Sequence, residues 1–383
     1  MSHTHPAVPA PRPAAGARPG GPRRRNFDQS PLIVFYEITK ACDLVCLHCR
    51  ARAQPRAHPD EMTTVDSIKL IDQLTRFPEP PLLVFTGGDP LKRADLFELI
   101  RHARAVGIEP AITPSPTPLV TAEALAKLKE AGIGRMAVSI DGADAATHDK
   151  LRGVAGSFAM THRIMDDARA LGIPIQVNTT LTPDTYDQLE AIADMLEPHG
   201  IALWSLFLII PVGRASKKLR LDAERYERAF ERLWRISREH SFMVKTTEGM
   251  HYRRYVLQMR KALGKSEPMK TSARGWEGAG VNDGRGILFI SHAGLIHPSG
   301  FLPMTCGMVP FNDVVEVYQK SPIFRRLRDA DSFGGKCGVC EYRHICGGSR
   351  ARAAAVDGDP FGSDPDCVYV PHAWDEAAKT AGA

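Results

Sequence analysis

The stretch LIVFYEITKACDLVCLHC, residues 32–49, decides how the chain is read. Its first half, Leu32–Glu37, is a short apolar run without strict alternation, as suits a strand of a parallel sheet covered on both faces. Its second half sets Cys42, Cys46 and Cys49 in a C-x3-C-x2-C spacing directly after that strand. Three thiolates on one short loop can bind three corners of a cubic iron–sulfur cluster. A fourth nearby cysteine is missing, which leaves one iron open to bind something else. By analogy with zinc, an open coordination position separates a reactive site from a structural one. The alternative is a zinc knuckle completed by His48, which is awkwardly placed between two of its co-ligands.

Working outward, the strand–loop–helix pattern repeats. Leu82–Phe85, Glu109–Thr113, Met136–Ile140, Pro174–Thr179 and Leu203–Ile210 read as five further strands. The spacing predicts helices over Val65–Leu74, Asp95–Ala105, Ala122–Glu130, Phe158–Ala170 and Tyr186–Leu196, several with Thr at the start or Gly at the end. Six strands with helical crossovers imply an α/β fold, a partial parallel (β/α)6 barrel with ligand loops at the strands' C-terminal ends. Asp222–His240 reads as one long helix whose Tyr226, Phe230, Leu233, Trp234 and Ile236 form a core-facing stripe. Beyond it we expect a smaller C-terminal iron–sulfur domain, residues 241–383, after a barrel of residues 27–240. Residues 264–286 are Gly-rich and loop-like, and Ile287–Ile290 with Leu295–Ile296 suggests a β-hairpin.

Composition is ordinary for a globular chain: 383 residues, 43% hydrophobic, 24% charged, net charge +5. It excludes a wholly disordered protein and gives no argument for a nucleic-acid partner. The longest apolar run, Ile201–Val212, is too short for a membrane span. Residues 1–26, rich in Pro, Ala, Gly and Arg and carrying Arg23-Arg24-Arg25, read as a disordered tail without the apolar segment of a signal peptide. Tight clustering of six of the eight cysteines in such a chain points to metal ligation in a reducing, cytoplasmic compartment.

The second cluster is C-terminal. Cys337, Cys340 and Cys346 form C-x2-C-x5-C, and Cys367 follows after a gap. Four thiolates close a cluster with no open site, which suits electron transfer or structure; a zinc ribbon is the alternative. Cys306 is left over, a buried free thiol or an unusual ligand.

The C-x3-C-x2-C loop after a first barrel strand resembles the radical S-adenosylmethionine (SAM) superfamily. The resemblance implies that Cys42, Cys46 and Cys49 hold a 4Fe–4S cluster whose open iron binds SAM. Reductive cleavage then yields a 5′-deoxyadenosyl radical that takes hydrogen from a substrate. FTGGDP, residues 85–90, stands where the family usually has Gly-Gly-Glu-Pro, so Gly87, Gly88, Asp89 and Pro90 are implied SAM contacts, made mainly through backbone. VSIDG, residues 138–142, implies Ser139 near the ribose and carboxylate; Asp141 there also suits a turn. Asn178 on the fifth strand is a candidate for the same cleft, and Gly213 and Arg214 of PVGRA resemble the segment closing the adenine side. The C-terminal cysteines are similar to the SPASM extension, which has seven cysteines and two auxiliary clusters. Here the positions of two of them fall at Arg350 and near Ser299, so the resemblance implies one auxiliary 4Fe–4S cluster kept and one lost.

For the substrate, CLHCRA, residues 46–51, resembles the branch with heme b synthase, which oxidatively decarboxylates two propionates, and the heme d1 maturation proteins. Other members mature ribosomal peptides. Arg253, Arg254, Arg260 and Lys261 can bind substrate carboxylates or form a solvated helical face. The family implies a flavodoxin or ferredoxin as electron donor. A non-catalytic iron–sulfur redox protein is the alternative from another class; it needs no Gly-Gly-Asp-Pro after the second strand.

Overall fold

The computed structural model describes residues 25–264 and 280–374. Arg23 and Arg24, most of the expected tail, and residues 265–279 of the Gly-rich loop lie outside the described residues. One sheet organises the rest. In chain order its strands are β1 (Ile33–Thr39), β2 (Leu82–Gly87), β3 (Glu109–Ile112), β4 (Arg135–Ser139), β5 (Ile175–Leu181), β6 (Leu203–Leu208), β7 (Met243–Thr247), β8 (Ile287–Ile290), β9 (Leu295–His297) and β10 (Gly307–Met308). Their spatial order is β10-β9-β8-β1-β2-β3-β4-β5-β6-β7. The six expected strands are present, parallel and neighbours in sequence order.

The sheet is wider than six strands. β7 pairs parallel to β6 and β8 parallel to β1, so segments beyond residue 240 extend both edges. The expected hairpin is β8–β9, and β10 adds antiparallel to it. Docking short strands onto open edges satisfies backbone groups that would otherwise stay unpaired. Among the described residues no helix is long and apolar enough to cross a membrane.

The pleat explains which residues the helices cover. Along β1, Val34, Tyr36 and Ile38 are fully buried. Tyr36 shares a 2.7 Å hydrogen bond with Ser67 on the Thr64–Leu74 helix, which Thr63 caps through the Asp66 N–H. Leu83, Phe85, Val177, Trp204 and Leu206 join the same core. Each such side chain contributes about 1.5–3 kcal/mol on burial. The predicted stripe of the long helix, Ala223–Glu239, is confirmed: Tyr226, Phe230, Leu233 and Ile236 are buried, and Trp234 packs against the core. Two helical expectations are corrected. Tyr186–Leu196 is two helices, Pro183–Tyr186 and Leu189–Leu196. An unforeseen helix, Ala145–Arg152, starts at the Asp144 cap and stops at left-handed Gly153.

Burial also sets acid sensitivity. His251, at the start of the His251–Ala262 helix, packs edge-on to Phe230 with neither ring nitrogen hydrogen-bonded and its Nδ1 3.8 Å from Asp364. Burial lowers its pKa from 6.5 to about 3 and that of His148 to about 4. Below pH 6.5 the unfolded chain therefore takes up protons that the folded chain refuses. Stability falls from pH 6.5 towards pH 4 by about 1.4 kcal/mol per pH unit for each histidine. Urea midpoints measured from pH 7 to pH 5 should fall accordingly, and less steeply in His251→Phe.

Candidate active site

The loop after β1 carries the first three cysteines, and none of Cys42, Cys46 or Cys49 forms a disulfide. Cys42 and Cys46 are buried in a small cluster with Leu44 and Ala53, against which Cys49 packs. Two of the sulfurs accept N–H bonds within the loop: Leu44 N to Cys42 at 3.4 Å and Ala53 N to Cys49 at 3.4 Å. Among the described residues no three Cys, His, Asp or Glu side chains converge on a single ion. Three sulfurs gathered on one loop, two of them with amide donors, fit a cubane, whose thiolates bind separate irons. His48 is turned away, its Nε2 3.9 Å from Asp141, and burial holds its pKa down to about 4.

Neighbouring loops hold this loop's backbone. Gly88 N donates to Thr39 O at 2.8 Å and Asp89 N to Ala41 O at 2.7 Å. A Cβ on Gly88 would collide with the carbonyls of Ala41 and Lys40, so the glycine permits close approach to the cysteine loop. Pro90 opens a one-turn helix. The Asp89 carboxylate is buried and turned to the loop after β3, accepting from Thr117 Oγ1 at 2.8 Å; burial raises its pKa. Ser115 on that loop reaches Cys42 Sγ at 3.5 Å and Gly88 O at 3.0 Å.

Arg214 is turned to the cysteine loop. Its Nε donates to Cys46 O at 2.9 Å and Nη1 to Ala53 O at 3.0 Å, while Nη2 is buried without a partner. Gly213, at φ +64°, packs against the Cys49 carbonyl with no space for a side chain. Ser139, the last residue of β4, is the register partner of Asn178 in the middle of β5, so the structure does bring these two together.

Several participants escaped the sequence reading. Arg152, on the unforeseen helix, pairs with fully buried Asp141, and Asp141 Oδ1 accepts from Thr180 N at 2.6 Å. Burial alone would raise the Asp141 carboxyl; Arg152 and His48 beside it hold it below the usual range. Arg152 also bonds Cys46. The Asp144 cap and Gly153 stop were the signal for that helix. Arg50 Nη2 reaches Glu37 at 2.6 Å, and Glu37 also bonds His292 at 2.8 Å. Burial opposes ionisation of Glu37, yet Arg50 and His292 bring its pKa to about 2. This trio ties the cysteine loop to β1 and to the turn between β8 and β9.

The second cysteine group is brought together as expected. Cys337, Cys340, Cys346 and Cys367 line one cavity. Sulfur acceptors are again met by donors: Asp364 N to Cys337 at 3.3 Å, Gly348 N to Cys346 at 3.4 Å, and Arg350 Nη2 to Cys337 at 3.4 Å. Arg350 is fully buried and lies over the Phe333 ring. Ser299 accepts from Phe301 N and Leu302 N in a turn. Cys306 does not line that cavity; it donates to Met304 O at 3.4 Å.

Residues 36–196 match the model of the radical SAM superfamily. The chain is 37% identical over 373 residues, 95% of each chain, to the AdoMet-dependent heme synthase of Oleidesulfovibrio alaskensis. The chain belongs to the radical SAM superfamily. As a radical SAM protein it binds a 4Fe–4S cluster and SAM, and Cys42, Cys46 and Cys49 are the residues that fit the cluster. It is also 28% identical to the PqqA peptide cyclase of Bradyrhizobium diazoefficiens, over 89% of this chain and 87% of that one. Its fold resembles Streptococcus suis SuiB bound to the precursor peptide SuiA, with a TM-score of 0.67 and 18% identity over 89% of this chain and 76% of that one.

Two substitutions test how this radical SAM chain holds its sulfurs. Gly88→Ala should push the cysteine loop off β2, cost roughly 1–3 kcal/mol in thermal unfolding, and reduce iron bound after anaerobic reconstitution. Arg350→Gln removes a cation and an N–H donor from Cys337. Redox titration followed by electron paramagnetic resonance should then show the C-terminal centre moved to a more negative potential, because the reduced form loses its stabilising charge.

Proposed function

We propose that this radical SAM enzyme oxidatively decarboxylates propionate side chains of an iron porphyrin. Cys42, Cys46 and Cys49 hold the SAM-binding cluster and Cys337, Cys340, Cys346 and Cys367 an auxiliary one. The observation that carries the substrate reading is end-to-end likeness, at 37% identity, to a heme synthase, against 28% to a peptide cyclase. The bound groups supply a hydrogen-abstracting 5′-deoxyadenosyl radical and an acceptor for one electron. Each propionate that becomes a vinyl group loses CO2, one hydrogen atom and one electron. Gly87–Pro90, Ser139 and Asn178 border the SAM position, the first group largely through backbone atoms. Arg214 and Arg152 act one layer back, keeping the cysteine loop from moving. A flavodoxin or ferredoxin serves as reductant.

Heme carries two propionates and two vinyls, so the substrate expected is an iron porphyrin with four propionates, iron coproporphyrin III. Reconstituted protein with dithionite, SAM and this compound should yield 5′-deoxyadenosine, CO2 and a divinyl product seen by mass spectrometry. Cys46→Ala should abolish 5′-deoxyadenosine. Cys340→Ala should spare SAM cleavage while stopping vinyl formation. Deoxyadenosine with no change in the porphyrin would refute the substrate, and its absence from wild-type protein would refute the enzyme.

A further inference from the structure

Strand register sets a polar row across the sheet. Ser139 pairs with Asn178, Asn178 with Ser205, and Ser205 with Lys245 on β7. Ser205 and Thr247 share a 3.0 Å hydrogen bond, which confirms that Ser205, Lys245 and Thr247 point the same way. The alternate residues Val138, Val177, Trp204 and Leu206 are buried in the main core under the helices. The row therefore lies on the opposite face, the barrel's inner face, at the level of Ser139 and Asn178.

Lys245 is the row's only charge, and its surroundings are unusual. Its amine makes no hydrogen bond or ion pair among the described residues. Burial lowers its pKa to about 8, assisted by Arg253 and Arg135, the charged groups close enough to act. Arg135 already has Glu109 at 2.8 Å. Arg253 has no carboxylate partner among the described residues; its Nη1 reaches Ile345 O at 3.2 Å, next to Cys346. Burial lowers its pKa to about 10, opposed by Cys346 and Glu248 and assisted by Arg285. The adjacent Arg254 is paired with Glu227 at 2.7 Å, so the helix does not lack acids where it needs them. Burial, and then Asp283, raise the pKa of Glu248, the acid that follows β7. Lys245 and Arg253 both keep part of their surface accessible. Two deep, mutually repelling cations with no carboxylate in hydrogen-bond reach are costly unless an anion completes them.

We infer that Lys245 and Arg253 form a carboxylate-binding pair inside the barrel that anchors a propionate of the substrate between the SAM-binding loops and the C-terminal cysteines. The site rests on the tetrapyrrole reading given above and names two residues that would enforce it. Lys245 supplies a point charge and Arg253 a planar fork on the side of Cys346. The anchored carboxylate is one that survives the reaction, so the pair sets orientation and takes no part in bond breaking.

The test is binding of iron coproporphyrin III and of its tetramethyl ester to reconstituted enzyme with SAM, read by difference absorbance. Lys245→Met and Arg253→Met should each weaken binding of the acid about ten- to a hundredfold, the worth of one hydrogen bond to a charged group. Lys245→Arg should stay close to wild type. The ester should bind wild type weakly and be insensitive to either methionine substitution. Unchanged iron content and an unchanged thermal unfolding midpoint in Lys245→Met would show that the fold and the cluster-binding loop survive. Acid binding as tight in both methionine variants as in wild type overturns the pair alone. Wild type that binds neither compound overturns the tetrapyrrole reading and the pair with it.

Discussion

A loop with no secondary structure of its own must hold three thiols in a fixed array, and the surrounding molecule is arranged to make that possible. Its carbonyls are hydrogen-bonded by other loops: Thr39 and Ala41 by the turn after β2, Cys49 and Cys46 by Arg214 after β6. The parallel part of the sheet brings those loops to one end, because β1 to β6 all run the same way. Glycine at position 88 lets two backbones meet where a side chain would part them. Sulfur ligands placed this way are organised before any iron arrives, so little ordering entropy remains to be lost on binding.

The C-terminal segment is fastened by charge. Arg352 and Asp364 are both fully buried and joined by two bonds, 2.8 and 2.7 Å long. Arg352 also donates to Glu248 O at 2.9 Å, and Asp364 accepts from Ser349 N at 2.8 Å. Asp364's own amide meets Cys337 Sγ. One ion pair thus links the end of β7 to a cysteine of the second group. Breaking it from one side would leave a bare charge in the interior, at a cost of about 3–5 kcal/mol. Glu248 sits at φ +57°, a strained backbone position for a residue with a side chain, and this network is what holds it there.

Much of the fold was legible because its elements are local. Six apolar runs, the cap at Thr63 and the stops near Gly107, Gly132 and Gly172 each act over a few residues. The Ala145–Arg152 helix was not, since only His148 and Leu151 of it are buried and no apolar stripe marks it. That omission hid Arg152, the partner of Asp141 and Cys46. β7 was missed because Met243–Thr247 carries Lys and Thr on a strand whose inner face is polar. Arg214 was placed in the right neighbourhood; its donors toward the cysteine loop depend on a contact 168 residues away in the chain.

The sequence by itself determined which atoms could bind iron, since thiol chemistry and the spacing of Cys42, Cys46 and Cys49 belong to a single short segment. It also determined that the segment follows a strand, because apolar runs and turn residues are read locally. Only the tertiary structure decided what stands around those sulfurs. Arg350 beside Cys337, Glu37 between Arg50 and His292, and Lys245 in line with Ser139 are meetings of residues far apart in the chain. Such meetings are set by sheet register and by the balance of burial against charge, neither of which is a property of any one stretch of residues.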